Sequence, residues 1–166
     1  MIAKYVSTAL IGCFALAGTP AWGADAAPRG AQPVTPARDA AVKLNGFAPA
    51  PELGSVHFDF DQAAIRPSEA RILDKHAEWL KSNSGVTVAI EAAADPRGSV
   101  VYNKRLSERR AQAVKDYLVA RGVAADRIVN AGAGEGLPAC RDAGEACWQK
   151  NRRADFLVKV VAKQSP

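Results

Sequence analysis

Between residues 54 and 163 the apolar positions change period several times, and each change marks an element. Val56-His-Phe-Asp-Phe60 alternates and predicts a strand. Pro67 suits the first turn of a helix, after which Ile72, Leu73, His76, Ala77 and Leu80 recur on one helical face. Asn83-Ser-Gly85 stops that helix. Val86 to Ala92 predicts a second strand, with Val86, Val88 and Ile90 on one side. Asp95-Pro-Arg-Gly98 is a turn, since Pro and Gly each impose a backbone preference. A long helix follows, beginning between Ser99 and Ser107. Its apolar positions include Leu106, Ala113, Val114, Tyr117 and Leu118, and Gly122 is its stop signal. Asp126-Arg-Ile-Val129 leads into a short third strand, a long loop follows, and Ala154 to Val161 alternates as a terminal strand. The order βαβαβ, loop, β with helical crossovers requires some parallel pairing. The expected fold is α+β, a two-layer sandwich in which a mixed sheet packs against helices.

The first 53 residues have a different character. Met1 to Gly23 reads as a signal peptide: Lys4 near the start, an apolar run from Ala9 to Ala17, and small residues at Ala21-Trp-Gly23. Leu10-Ile-Gly-Cys13 also resembles a lipobox, which would make Cys13 a lipidated first residue anchored to a membrane. A plain cysteine removed with the signal is the alternative. Residues 24–53 contain five prolines and nine alanines and read as an extended linker, part of which could pair with the domain edge. The folded domain is expected over 54–163. No stretch beyond the N-terminus approaches the length of a bilayer span. The formal charge of +5 becomes +4 once Lys4 is removed. The basic residues are interspersed with carboxylates, which argues against nucleic acid as a partner, and export argues against it again. A mildly basic surface suits an anionic wall polymer or lipid headgroups.

The chemistry concentrates between Asp95 and Ala111. Arg110 stands four residues after Leu106 and four before Val114, so it shares their face of the helix. A guanidinium there needs a partner. It can form a structural ion pair with Glu91 or Asp95, snorkel from the apolar edge, or clamp a ligand carboxylate. Asp95 either caps its own turn or accepts a hydrogen bond from a ligand ammonium. Gly98 permits close backbone approach, and the Asn103 amide can fix the loop.

Cys140 and Cys147 either close a small disulfide loop in an oxidising compartment or serve as a metal pair. The two histidines, His57 and His76, are far away in sequence and read as structural, so no metal site is expected. Neither has a nucleophile in recognisable spacing. Asp59 and Asp61 share a strand face, but Asp61 sits near the strand end as a turn cap. No catalytic residues, no cofactor and no enzymatic activity are expected.

Several of these segments together carry a family likeness. Val56-His-Phe-Asp-Phe-Asp61, Asp95-Pro-Arg-Gly98, Tyr102-Asn103, Leu106-Ser-Glu-Arg-Arg-Ala111, Asp116-Tyr-Leu118, Gly122 to Ile128 and Asn151-Arg-Arg153 occur in family order. Residues 54–161 resemble the C-terminal domain of outer membrane protein A, which also occurs in the peptidoglycan-associated lipoprotein and in flagellar stator proteins. The resemblance implies noncatalytic binding of peptidoglycan through the diaminopimelate residue of the stem peptide. It implies a periplasmic location or the periplasmic face of the outer membrane, and anchoring of that membrane or of an envelope complex to the wall. By resemblance Asp95 is the loop aspartate and Arg110 the carboxylate-holding arginine. Ala94, Asn103, Leu106 and Arg153 fall on positions that line or support the site. A cysteine pair before Asn151 is a common variant of this fold. Two departures stand out. Ala92-Ala-Ala94 replaces the family's Gly-His-Thr or Gly-Tyr-Thr, which removes a hydroxyl and a ring. Gly132-Ala-Gly-Glu-Gly-Leu-Pro138 lacks the usual aromatic and basic residues. They leave open a weakened site, a different wall chemistry, or a structural domain that binds an envelope protein through a degenerate pocket.

Overall fold

The structure is a computed structural model that describes residues 44–160. The expected signal segment, Cys13 and residues 24–43 of the expected linker lie outside the described residues. The elements are β1 (Ala48–Pro49), β2 (Val56–His57), α1 (Pro67–Ser82), β3 (Val86–Ala93), α2 (Val100–Ala120), β4 (Ile128–Gly134), α3 (Glu145–Asn151) and β5 (Arg153–Val160). A single 3-10 turn over Ala125–Arg127 leads into β4. The sheet order is β1-β5-β3-β4, with β2 also paired to β5. The α2 crossover makes β3 and β4 parallel, whereas β5 runs antiparallel to β1, β2 and β3. The expected α+β class with a mixed sheet is therefore the observed one.

One apolar cluster joins the layers. Leu73, Ala77 and Leu80 of α1 and Ala111, Val114 and Leu118 of α2 bury against Val88, Ile90 and Ala92 of β3 and Phe156 of β5. These positions follow the 3.6-residue period in the helices and the two-residue period in the strands. Pro67 opens α1 at its first turn, with Arg66 before it in extended conformation. Ser99 caps α2, its hydroxyl accepting the Tyr102 N–H at 3.2 Å. Past the end of α2, Gly122 takes φ +90°, and the Val123 N–H reaches back to the Leu118 carbonyl at 3.1 Å.

Two expectations need correction, and one alternative left open is decided. The strand expected over Val56 to Phe60 pairs with β5 only over Val56–His57. Beyond Phe58 the backbone turns, with Asp61 at φ 57°, because the carbonyls of Asp59 and Gln62 face inward to a buried guanidinium. The long loop before β5 contains α3, a helix of seven residues that is too short to show a hydrophobic period. The last residues of the expected linker do enter the core. Ala48 and Pro49 pair with β5, and Ala50 and Leu53 are buried.

Helix α2 lies very close to β4. A Cβ on Gly132 would stand 2.8 Å from the Glu108 backbone nitrogen and 2.9 Å from Ser107 Oγ. Ser107 Oγ also accepts the Gly134 N–H at 2.8 Å. Gly132→Ala is expected to push the helix off the strand and destabilise the domain by about 1–3 kcal/mol, read as a lower urea midpoint.

His76 on α1 is buried, edge-on to Phe156 with ring centroids 4.6 Å apart, and its Nδ1 has no hydrogen-bond partner. Burial pushes its pKa down to about 4. The unfolded chain therefore binds more protons between about pH 6.5 and pH 4. The stability that His76 contributes is complete above the unfolded value and is lost as pH falls through that window. His76→Leu is expected to flatten the acid limb of a urea-midpoint profile between pH 7 and pH 4.

Candidate binding site around the Asp95 turn

Asp95 follows the C-terminal end of β3, and the turn after it delivers the chain to the N-terminus of α2. Gly98 makes the turn possible with φ +117°, a conformation that side chains rarely adopt. A cavity of about 220 Å³ opens here. Its floor and walls come from Ala94, Asp95, Arg97 and Gly98 of the turn and from Tyr102, Asn103 and Leu106 of α2. Phe60 and Asp61 close it from the opposite loop. Of the six positions expected at a ligand site, the structure brings together Asp95, Asn103, Ala94 and Leu106. Arg110 and Arg153 are not among the lining residues.

Arg110 lies completely buried beneath the cavity. Its Nε donates to the Gln62 carbonyl at 2.8 Å, Nη1 to Ala93 at 2.8 Å and Nη2 to Asp59 at 3.1 Å. The Phe58 ring lies 5.1 Å from the guanidinium carbon. Burial lowers its pKa to about 10, with the Asp95 carboxylate opposing that shift. Arg110 thus ties the Asp59–Gln62 loop to the end of β3. Arg153 is turned elsewhere, with Nε on Asp155 at 2.9 Å and Nη1 on the Leu137 carbonyl at 3.1 Å. Its neighbour Arg152 points to the site instead. Arg152 Nη1 donates to Asp95 Oδ2 at 3.2 Å, and its Nε donates to the Phe58 carbonyl at 3.1 Å. Its Nη2 bonds to Glu145 and Gln149 of α3, so the helix absent from the sequence reading is what aims Arg152.

Arg97 is the cation that faces the cavity. Its Nε and Nη2 form a fork on Asp95, 3.0 Å from Oδ1 and 2.8 Å from Oδ2. The guanidinium lies between Phe60 and Trp148, 4.0 Å and 4.2 Å from the two ring centroids. Nη1 makes no hydrogen bond among the described residues. The Arg97 backbone N–H also reaches Asp95 Oδ1 at 3.1 Å. With Arg152 added, four donors converge on the two carboxylate oxygens of Asp95, which fills them. Burial acts to raise the Asp95 pKa, but the bonds from Arg97 and Arg152 together hold it below the usual carboxylate range. Alternation along the first strand places Phe60 on the inner side with Val56 and Phe58, yet it is 55% exposed and stacks on Arg97. The arginine of the Asp95-Pro-Arg-Gly98 turn was visible in sequence, but nothing there indicated its two rings.

Asp59 and Asp61 do not form an acid pair. Asp59 meets Arg66 at 3.4 Å, and Asp61 accepts the Tyr102 hydroxyl. Asn103 Nδ2 donates to Glu135 at 2.7 Å, fixing the start of α2 to the loop after β4. Cys140 and Cys147 form a disulfide with a Cα–Cα separation of 5.3 Å. Beside it Asn151 accepts the N–H groups of Ala139 and Cys140 and donates to the Cys140 carbonyl.

With this geometry in place, similarity to known proteins is decisive. The sequence pattern of the OmpA family matches residues 57–152. The chain belongs to the OmpA family. It is 35% identical to the peptidoglycan-associated lipoprotein of Mesorhizobium japonicum over 156 residues, covering 93% of this chain and 88% of that protein. It is 42% identical over 100 residues to the same-named protein of Pasteurella multocida, covering 60% of this chain and 67% of that protein. The crystal structure of the peptidoglycan-associated lipoprotein from Burkholderia pseudomallei superposes with a TM-score of 0.60 at 34% identity, over 63% of this chain and 89% of that one. The cell wall anchor of the T6SS from Pseudomonas aeruginosa gives 0.55 at 25% identity, over 65% and 80%. The C-terminal domain of Helicobacter pylori MotB, at 17% identity and a TM-score of 0.61 over 66% and 86%, shares the fold.

Arg110→Met is expected to remove the donors of three inward carbonyls and to cost about 3–5 kcal/mol of stability. Thermal unfolding followed by circular dichroism measures this. A variant as stable as the parent would show that the carbonyls find other donors.

Proposed function

We propose that this protein binds peptidoglycan without cleaving it and anchors the outer membrane, or an envelope complex, to the wall from the periplasmic side. Membership of the OmpA family and kinship with peptidoglycan-associated lipoproteins support that reading. The ligand end that suits the cavity is the zwitterionic head of diaminopimelate. The observation that carries this is Arg97: a half-exposed guanidinium fixed by Asp95 and two rings, with Nη1 left for a ligand carboxylate. Asp61 on the facing wall supplies a carboxylate for the ammonium. Asp95 and Arg110 then work one layer down. Asp95 holds Arg97 in position, and Arg110 holds the loop that carries Asp61. Ala94, Asn103 and Leu106 shape the floor, and the missing hydroxyl and ring at Ala92-Ala-Ala94 leave recognition to the charged pair. Lipidation at Cys13 would provide the membrane end of the tether.

A protein partner is the second reading. Val100 and Val101, 68% and 62% exposed at the start of α2, stand beside Tyr102 on the cavity rim. An envelope protein docking there would compete with the wall for one face.

Retention on purified sacculi, followed by calorimetry with free meso-diaminopimelate, tests the first reading. Arg97→Ala and Asp61→Asn are each expected to weaken binding by roughly tenfold, as loss of a charge-assisted contact does. Asp61→Asn should unfold close to the parent, whereas Arg97→Ala takes two donors from the buried Asp95 carboxylate and is expected to lose some stability, so its binding is measured well below its unfolding midpoint. Tighter binding by Arg97→Ala would mean that the diamino acid's ammonium takes the place of Arg97 on Asp95. No binding by the parent would leave the protein-partner reading.

A further inference from the structure

A second cavity, of about 270 Å³, lies on the other side of the Asp95 turn. Ala94 lines both cavities, and Pro96 faces only the second. The remaining boundary is the Asn103–Glu135 hydrogen bond, whose donor lines the first cavity and whose acceptor lines the second. The divide at this point is thus a methyl group and one polar contact. A side chain larger than the Ala94 methyl would add bulk between the two cavities.

The far wall of the second cavity carries Arg141. Arg141 is exposed, and among the described residues it makes no hydrogen bond or ion pair. Its backbone is nevertheless well held. Cys140, immediately before it, is fixed by the disulfide to Cys147 and by both ends of the buried Asn151 amide. A guanidinium without a partner on an anchored backbone is prepared for an anion. Glu135 and Asp142 also line the cavity. Glu135 is engaged by Asn103, and the two carboxylates repel loosely held anions, so only a group that reaches Arg141 directly gains from it.

We propose that the second cavity is a subsite for a carboxylate on the residue next to the diamino acid in the same stem peptide, with Arg141 as its contact. This rests on the reading of the first cavity given above. The chemistry of the polymer selects the charge. Apart from the ammonium and carboxylates of the diamino acid itself, the ionisable groups of a stem peptide in the wall are carboxylates: the α-carboxylate of the D-Glu before it and the terminal carboxylate of a D-Ala after it. The first cavity reads the diamino acid, and the second reads its neighbour, so discrimination between amidated and acidic walls resides at Arg141.

Calorimetry with the purified protein and its Arg141→Gln variant tests this. The probes are free meso-diaminopimelate, the tripeptide L-Ala-γ-D-Glu-meso-diaminopimelate, that tripeptide with the D-Glu α-carboxylate amidated, and the tetrapeptide ending in D-Ala as acid and as amide. One of the two amidations is expected to weaken binding to the parent about threefold to fivefold, the size of an exposed charge pair. Arg141→Gln should erase that difference while leaving free diaminopimelate unchanged. Arg141 has no partner to lose, so the variant should fold as the parent does. Equal binding of acid and amide by the parent, or a difference that survives in Arg141→Gln, overturns the subsite and leaves the first cavity standing. Failure of the parent to bind any of the probes removes both readings together.

Discussion

The Arg110 guanidinium is the contact on which the rest of the site depends. A charge this deep is tolerable only because three carbonyls from two separate segments turn toward it and because Asp95 supplies a nearby negative charge. The arrangement acts on both partners. The carbonyls satisfy the guanidinium, and the guanidinium dictates that the chain after Phe58 leave the sheet. That departure exposes Phe60 and Asp61 at the cavity mouth. A residue that does not line the cavity thereby decides what its surface is made of.

Above it stands a stack of alternating charge. Arg110 and Arg152 are buried, Asp95 lies among them, and Arg97 caps the assembly, its Nη2 also 3.6 Å from Glu145. Different segments supply the layers: α2 the lowest arginine, the turn after β3 both the carboxylate and the outermost guanidinium, and α3 the groups that hold Arg152. Such a network is worth its desolvation only when all its members are placed, so its geometry is sensitive to any element that slips. The disulfide and the Asn151 amide restrain α3, the shortest and least self-sufficient helix of the domain.

Much of this was legible in the sequence. The helix periods gave the two long helices, alternation gave the sheet, and the four-residue spacing about Arg110 put it on an apolar face. The partners of Arg110 were not legible, because backbone carbonyls carry no sequence signature. Arg153 was expected at the site and Arg152 was found there, since the choice between adjacent residues is made by α3, whose seven residues are too few for periodicity to reveal. The first strand was expected to run on to Phe60 for a related reason. Alternation continues in the letters after the hydrogen-bonded ladder has ended. The alanines at 92–94 read as a loss of chemistry. In the structure Ala92 and Ala93 are the buried end of β3, and Ala94, just past it, lines both cavities.

The two-residue strand β1 has a mechanical meaning. Tension arriving from the N-terminal side of the domain meets the Ala48–Val158 and Pro49–Leu157 pairs before it meets any helix or the Asp95 turn. A ladder that short yields first, and each residue it frees adds about 3.3–3.6 Å of chain. Under such a load residues 44–53, held on the β5 edge by that ladder and by buried Ala50 and Leu53, are expected to detach before the rest of the domain.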